Sequence, residues 1–492
     1  MKKIAGLLLT AALTVPGCAG DPPDLVAETS AGAVEGVRDD SVTRFRGIPY
    51  AAPPVGDLRW RAPQPVAAWD GVRESSESGP ACAQGPQRKD ASEDCLHLDV
   101  TTPAPDGERP VVVWLHGGGF SEGAGFDYDP RRMAAQGDVV VVTVEFRLGL
   151  YGFLGDNYGF QDQQAALRWV RDNIREFGGD PRNVTLMGQS GGAIGACAQL
   201  TAPGARGLFH RAILMSGECD AAMPKDFTPT GSAPFDFFRP AAATQAVVRS
   251  TMTALDCDDL DCLRRKPVAE FEKEYPKYGA ATYGVPTLPQ DPGAAVAAGN
   301  YAKVPVLAGL TRNEHRLTSG IFAVAGWRIS AGEYPGVIAK AFGAGAGARI
   351  VGEYPASRYG GDGAVAWGDV FTDSMACQTG GSLDELPSFR YEFADPDAQP
   401  LIDLPSDFDA GASHGSELPM LFEVAGREPV TSDYYTDAQR DLAARMIGYW
   451  TAFARSGDTG WDAEDTMQLA PGATGPVDVA EEHRCDFWQS LG

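Results

Sequence analysis

A serine attacks a carbonyl only if its hydroxyl is held clear of its neighbours and a base stands within reach. Gly188-Gln189-Ser190-Gly191-Gly192 has the G-x-S-x-G spacing of a sharp strand-to-helix turn that lifts such a hydroxyl above the end of a sheet. The pattern alone is common, but its surroundings fit it. Asn183 to Met187, just ahead, is apolar and β-branched enough for a short buried strand. Gly192, Ala193, Gly195, Ala196 and Ala198, just behind, are small enough for a helix packed tightly under the turn. Upstream, His116-Gly117-Gly118-Gly119-Phe120 follows the run Val111 to Leu115. That is a strand leading into a glycine loop whose N–H groups can receive a developing oxyanion. A lifted serine and an oxyanion loop together point to acyl transfer through a covalent serine ester.

The elements around these motifs read as a sheet of buried strands flanked by helices. Ala166, Val170, Ile174 and Phe177 recur every three or four residues and form one apolar helix face. Gly178-Gly179 stops that helix and Asp180-Pro181 turns the chain into the strand before the serine. Val139 to Val144 is a nearly continuous apolar run, as expected of a strand covered on both faces. Ile213-Leu214-Met215 and Val304 to Ala308 add two more short buried strands. Strands alternating with helices predict an α/β fold with a central, mostly parallel sheet, and place the chemistry on loops at the carboxyl ends of its strands. No Pro/Ser linker or internal repeat divides the motifs, so residues 30–492 read as one domain despite their length. Segments 219–240 and 317–388 are rich in Gly, Pro and aromatics and are expected to lie over the sheet as a cap.

From about residue 30 to Trp488 the chain resembles the type-B carboxylesterases of the α/β-hydrolase fold, a family that includes the cholinesterases. Phe45-Arg46-Gly47-Ile48-Pro49-Tyr50-Ala51, Pro53 to Arg59, and Ser92-Glu93-Asp94-Cys95-Leu96 resemble its signatures. So do Asp162-Gln163 through Trp169-Val170, and Phe177-Gly178-Gly179-Asp180-Pro181. The resemblance implies a serine carboxylesterase that needs no metal or cofactor. The same fold also carries lipases and serine peptidases. Adhesion-type relatives of the family usually lack the nucleophile that this chain keeps.

In this fold the chain order is serine, acid, histidine. The residues themselves leave His315, His414 and His483 open as the base. His315 directly follows a carboxylate, and His483 sits beside Arg484-Cys485 in the C-terminal segment, as a structural residue would. His414-Gly415-Ser416-Glu417-Leu418 matches the family's His-x-x-Glu-Leu, so the resemblance implies His414 as base. Gly309 to Glu314 follows a buried strand and matches the family's Gly, four residues, Glu, with His315 where a glycine is usual. That implies Glu314 as the orienting acid; Asp291 and Asp369 are rivals without the motif. The implied oxyanion donors are the N–H groups of Gly118, Gly119 and Gly191, the last in place of the more usual alanine.

The same resemblance bears on substrate. Gln189 stands where many relatives carry glutamate, which removes a negative charge beside the nucleophile. Choline-binding members carry a tryptophan in the loop closed by the first disulfide, where a cation can sit over the ring. The loop from Cys82 to Cys95 has no aromatic residue. Uncharged esters of small to medium size are therefore expected. Gly117-Gly118-Gly119 carries no side chains, and relatives with this loop accept esters of crowded alcohols. Pocket walls are expected from the cap and from the loops around Phe120, Phe126 and Phe322.

Lys2 and Lys3 precede an apolar run from Ile4 to Val15, too short to span a bilayer, that reads as a secretory signal over residues 1–17. Val15-Pro16-Gly17-Cys18 resembles a bacterial lipobox, which implies lipidation at Cys18 and a tether over 18–29; plain cleavage nearby stays open. A single lipidated residue would be the only membrane contact. The formal net charge is −25, and with no basic patch such a surface repels nucleic acid. Nine cysteines in an exported chain favour disulfides. The resemblance pairs Cys82 with Cys95 and Cys377 with Cys485, and the family has a bridge near Cys257 and Cys262. Cys219 has no assigned partner, and Cys197, in the helix behind the nucleophile, reads as a small buried hydrophobe. No cysteine or histidine cluster has zinc-ligand spacing.

Overall fold

The computed structural model describes residues 25–491 apart from 86–87, 379–380 and 426–433. The signal segment and Cys18 lie outside the described residues. The sheet is built from β1 (Val37–Asp39), β2 (Val42–Pro49), β3 (His97–Thr102), β4 (Arg109–Leu115), β5 (Val140–Val144) and β6 (Gly179–Gln189). It continues through β7 (Arg211–Met215), β8 (Val306–Thr311), β9 (Ser388–Phe393), β10 (Thr466–Leu469) and β11 (Gly475–Val477). Its spatial order is β11-β10-β9-β8-β7-β6-β4-β5-β3-β2-β1. Every pairing from β5 across to β10 is parallel, and antiparallel strands finish both edges. The order reverses at β4, the crevice where such sheets place their ligands.

Register levels the ends of the central strands. Leu115 of β4 lies opposite Gly188 of β6, Gln189 opposite Met215 of β7, and Met215 opposite Gly309 of β8. The loops leaving β4, β6 and β8 therefore emerge side by side. Alternate residues of each strand face opposite layers. Val111, Val113 and Leu115 pack with α1 (Tyr158–Asn173) and α2 (Gly191–Thr201). Val112 and Trp114 pack with Leu442, Met446, Ile447 and Trp450 of α3 (Asp437–Ser456). A capping box at Thr436 and Gln439 starts α3, and Gly457, at φ 81°, ends it. The helix predicted through Phe177 tightens to a 3₁₀ turn over Ile174–Phe177 before Gly178.

The two expected cap segments form part of a larger layer. Helices Arg316–Val324, Tyr334–Phe342, Ala344–Glu353 and Gly363–Ala376 enclose a core of their own around Tyr334, Ile338, Ile350, Trp367 and Phe371. The stretch after 240 was not expected to join the cap. It places Val248, Leu263, Phe271 and Tyr275 against Trp60 and Leu150. At the other end, Val26–Thr29 already pairs with Gly32–Glu35, so the fold begins inside the 18–29 stretch read as a tether.

The structure forms the Cys82–Cys95, Cys257–Cys262 and Cys377–Cys485 disulfides, and a fourth between Cys197 and Cys219. The last corrects the reading of Cys197 as a mere hydrophobe. Cys197 is on the buried face of α2, and α2 packs on the segment that leaves β7, where Cys219 lies. Helical periodicity locates Cys197 in the core but cannot show which strand's exit it meets.

Candidate active site

Ser190 is the hinge between β6 and α2, with φ 55° and ψ −126°, a region that costs a side-chain-bearing residue strain. Two contacts hold it there. Its N–H donates to Met215 O at 2.8 Å, and its carbonyl accepts from Ile194 N at 2.9 Å. The turn also depends on Gly192, where a Cβ would lie 2.0 Å from Leu115 O, so α2 can start directly behind β4 only without a side chain. Because Gly191 opens α2, its N–H has no acceptor within the helix. A Cβ on Gly191 would lie 2.8 Å from Gly119 N and 3.0 Å from Phe120 N. The bare Gly191 thus lets the loop after β4 close onto the start of α2. Gly118 and Gly119, at φ 103° and 58°, are in backbone conformations that favour glycine.

Glu314 leaves the end of β8 and points back into the sheet. Its Oε2 accepts from Thr311 N at 3.0 Å, Thr311 Oγ1 at 2.5 Å and Ser216 Oγ at 3.1 Å. Its Oε1 takes the Nδ1–H of His414. Burial alone would push the Glu314 pKa up, but His414 and Thr311 hold it down at about 2. Burial pushes the His414 pKa down, and the Glu314 carboxylate more than reverses this, so it is raised above the ordinary imidazole value. Two backbone links fix the loops together. His414 N donates to Glu314 O at 3.2 Å, and Asn313 N donates to Ala412 O at 2.9 Å while its Oδ1 accepts from Ala412 N at 3.2 Å. The imidazole Nε2 turns toward the end of β6, 3.1 Å from the side-chain nitrogen of Gln189. Among the described residues the Ser190 hydroxyl makes no hydrogen bond to His414; such contacts are often loose before substrate arrives.

The rival groups are placed elsewhere. Asp291 caps the helix Pro292–Ala297, accepting from Ala294 N at 3.0 Å. Asp369 holds Arg316 through two bonds of 2.7 and 2.8 Å. His315 is buried against Met375, and His483 lies between Asp373 and Glu392. Ser216 and Asn313 went unremarked in the sequence reading. A polar residue ending β7, the strand between those that lead to Ser190 and Glu314, was the available signal for Ser216. Among the described residues no group of His, Cys, Asp or Glu is arranged to hold a metal ion.

The wall above the oxyanion loop comes from the expected cap segment 219–240. Phe120 is buried with Phe153 and Phe160, and Phe322 packs on Trp367 inside the cap. Phe237 takes the wall position, with its ring 3.9 Å from where a Gly119 Cβ would be, and it meets Phe235 edge-on at 5.0 Å. Tyr275 pins the loop from the cap side, donating to Ser121 O at 2.6 Å.

A serine on a strained turn, an imidazole backed by a carboxylate and a glycine loop meet at the carboxyl ends of parallel strands. The model of the carboxylesterase family matches residues 23–324 and 366–470, and the gap between them falls in the cap. The chain belongs to the carboxylesterase family. This carboxylesterase is 35% identical to phenmedipham hydrolase of Pseudarthrobacter oxydans over 485 residues, covering 88% of this chain and 90% of that one. It is 33% identical to fumonisin B1 esterase of Sphingopyxis macrogoltabida, covering 92% and 86% of the two chains. With para-nitrobenzyl esterase of Bacillus subtilis (strain 168) the match is 38% over 312 residues, 59% of this chain and 63% of that one. The solved structure of a thermophilic PNB esterase superimposes with a TM-score of 0.74 at 27% identity, over 94% of this chain and all of that one. The carboxylesterase is thus an enzyme that hydrolyses carboxylic esters on an α/β-hydrolase fold.

Proposed function

We propose that this carboxylesterase works through Ser190, His414 and Glu314 on small to medium uncharged esters. The observation that carries the reading is the hydrogen-bonded Glu314–His414 pair, whose Nε2 faces the strand end that presents Ser190. Ser190 Oγ adds to the ester carbonyl carbon and passes its proton to His414 Nε2. The carbonyl oxygen becomes an oxyanion facing the N–H groups of Gly118, Gly119 and Gly191. Collapse breaks the bond to the alcohol oxygen, which leaves with the proton from His414. Water then gives a proton to His414 and adds its oxygen to the acyl carbon, and the carboxylic acid leaves as Ser190 is reprotonated. Glu314 keeps the Nδ1–H in place and stabilises the imidazolium throughout.

Several features support uncharged substrates. No aromatic stands in the Cys82–Cys95 loop, Gln189 is neutral, and bare Gly119 leaves room at the mouth beside Phe237. Lys2 to Cys18 supports export with lipid on Cys18, in a mature protein whose first strand begins at Val26, a few residues past that anchor. Rates on p-nitrophenyl esters of rising acyl length, tert-butyl acetate, acetylcholine and emulsified long-chain triglyceride test the proposal. Short primary esters should be fastest and tert-butyl acetate slow but measurable. Ser190→Ala should lower every rate by on the order of 10⁴–10⁶. Preference for acetylcholine or triglyceride would contradict the substrate reading.

A further inference from the structure

The cap segment Phe235–Pro240 brings two rings and a cation to the mouth of the site. A bend at Phe237 joins the short strands Phe235–Asp236 and Phe238–Pro240. Phe238 is buried in the core, and the backbone is fixed on both sides of the bend. Phe237 N donates to Ala221 O at 3.3 Å, and Phe237 O accepts from Ala281 N at 2.8 Å. Phe237 stands over Gly119 and meets Phe235 edge-on. Phe235 also reaches the oxyanion loop. Its ring would be 3.5 Å from a Cβ on Gly279, and that Cβ would be 3.7 Å from Gly119 O. Over the face of Phe235 lies the Arg239 guanidinium, with Cζ 5.1 Å from the ring centre.

Arg239 is half-buried and yet has no carboxylate. Among the described residues its one hydrogen bond runs from Nη1 to Lys277 O at 3.2 Å, which leaves most of its N–H donors unspent. Asp236 acts on it only from a distance. Glu274, the acid of the neighbouring turn, is taken by Lys277 at 2.7 Å. The chain has 66 acidic residues against 41 basic ones, so a guanidinium has partners to choose from. Elsewhere in the cap, Arg316 and Arg328 are each held by two carboxylates. An arginine left unpaired beside the site fits an anion that arrives with the substrate.

The reaction decides which half of the ester lies there. The order β8-β7-β6-β4 puts Ser190 between the Glu314–His414 pair and the Gly119 loop. The alcohol oxygen must face His414, which protonates it as it leaves. The acyl chain then extends the other way, past Gly119 and along the rings of Phe237 and Phe235.

We infer that Arg239 is a specificity-determining residue that receives a carboxylate at the far end of the acyl chain, so that the enzyme takes half-esters of dicarboxylic acids as well as uncharged esters. The inference rests on the Ser190–His414 reading and widens its substrate class. The methylene chain lies on the two rings, and the carboxylate takes a forked pair of N–H bonds from the guanidinium. The chemistry at Ser190 is unchanged, and the products are the alcohol and a dicarboxylate.

The test measures kcat/KM at pH 7 by acid release. The monoethyl esters of succinate, adipate and suberate are each set against the uncharged ethyl ester of equal acyl length, in the parent, Arg239→Gln and Arg239→Lys. A further pair, 6-acetoxyhexanoate and hexyl acetate, carries the carboxylate on the alcohol half instead. For the half-ester of best-fitting length, Arg239→Gln should lower kcat/KM by about tenfold, mostly through KM, and leave the uncharged ester within about twofold. Arg239→Lys should recover part of the loss, and the alcohol-side pair should not respond. An equal loss on charged and uncharged esters, no loss on any half-ester, or no hydrolysis of the half-esters by the parent would overturn the inference. A loss confined to 6-acetoxyhexanoate would overturn the placing of the acyl chain. Hydrolysis of ethyl hexanoate that persists in Ser190→Ala would instead overturn the reading on which the inference rests.

Discussion

Two histidines of this enzyme are bonded to carboxylates, but only one has the chemistry of a base. His414 gives Nδ1 to Glu314 and keeps Nε2 in reach of the nucleophile turn, against a neutral amide. His483 is bonded at both nitrogens, to Asp373 at 2.7 Å and Glu392 at 2.6 Å. Burial would lower the His483 pKa, but its two carboxylates raise it to about 9, so it is an imidazolium with no lone pair to offer. Arg312 at 2.6 Å from Glu392 and Arg484 at 3.0 Å from Asp373 extend the cluster, which ties the C-terminal turn to β9 and to the cap helix Gly363–Ala376. The difference teaches that burial beside an acid does not make a catalytic histidine. One nitrogen must be left for the nucleophile and the substrate.

The largest effect that could break the comparison is on turnover. His414→Ala should lower kcat by on the order of 10⁴–10⁶, whereas His483→Ala should leave kcat within about threefold, both measured on p-nitrophenyl acetate. A deep loss in His483→Ala with a native near-UV circular dichroism spectrum would reverse the assignment. The next effect runs the other way. Removing the His483 cation leaves Asp373 and Glu392 buried without their shared partner and should destabilise the fold by about 3 kcal/mol in urea unfolding at pH 7. The sign with pH follows from the raised pKa. The stabilisation is complete below about 6.5, the unfolded value, and is lost as pH rises through about 9. The gap between the parent and His483→Ala should therefore close above pH 9. A gap unchanged between pH 7 and 10 would show that His483 is not held as a cation.

The sequence disclosed the catalytic side of this comparison better than the structural side. Ser190, the glycine loop and the strands ahead of them are local patterns, readable because a strand run and a tight turn need particular residues in succession. Glu314 and His414 were reachable only through motif resemblance, since nothing local distinguishes His414 from His315. What escaped depends on contacts across the sheet. Cys197 meets Cys219, Ser216 reaches Glu314, and Gln189 reaches His414 because three parallel strands end level, and register leaves no mark along the chain. The same holds for His483, whose two carboxylates come from residues about a hundred positions earlier on separate elements. The cap segment 219–240 was expected to wall the site, but Phe237 could not be singled out within it, because which ring faces Gly119 is set by packing and not by periodicity.

The most direct test of the central claim is covalent. A fluorophosphonate reacts with a serine only where a base and an oxyanion site activate it. Incubated with the parent enzyme and with His483→Ala, it should give one adduct per chain by intact mass, recovered on the peptide containing Ser190. Incubated with His414→Ala it should give essentially none. An adduct on any other serine, or equal labelling of Ser190 with and without His414, would contradict the account.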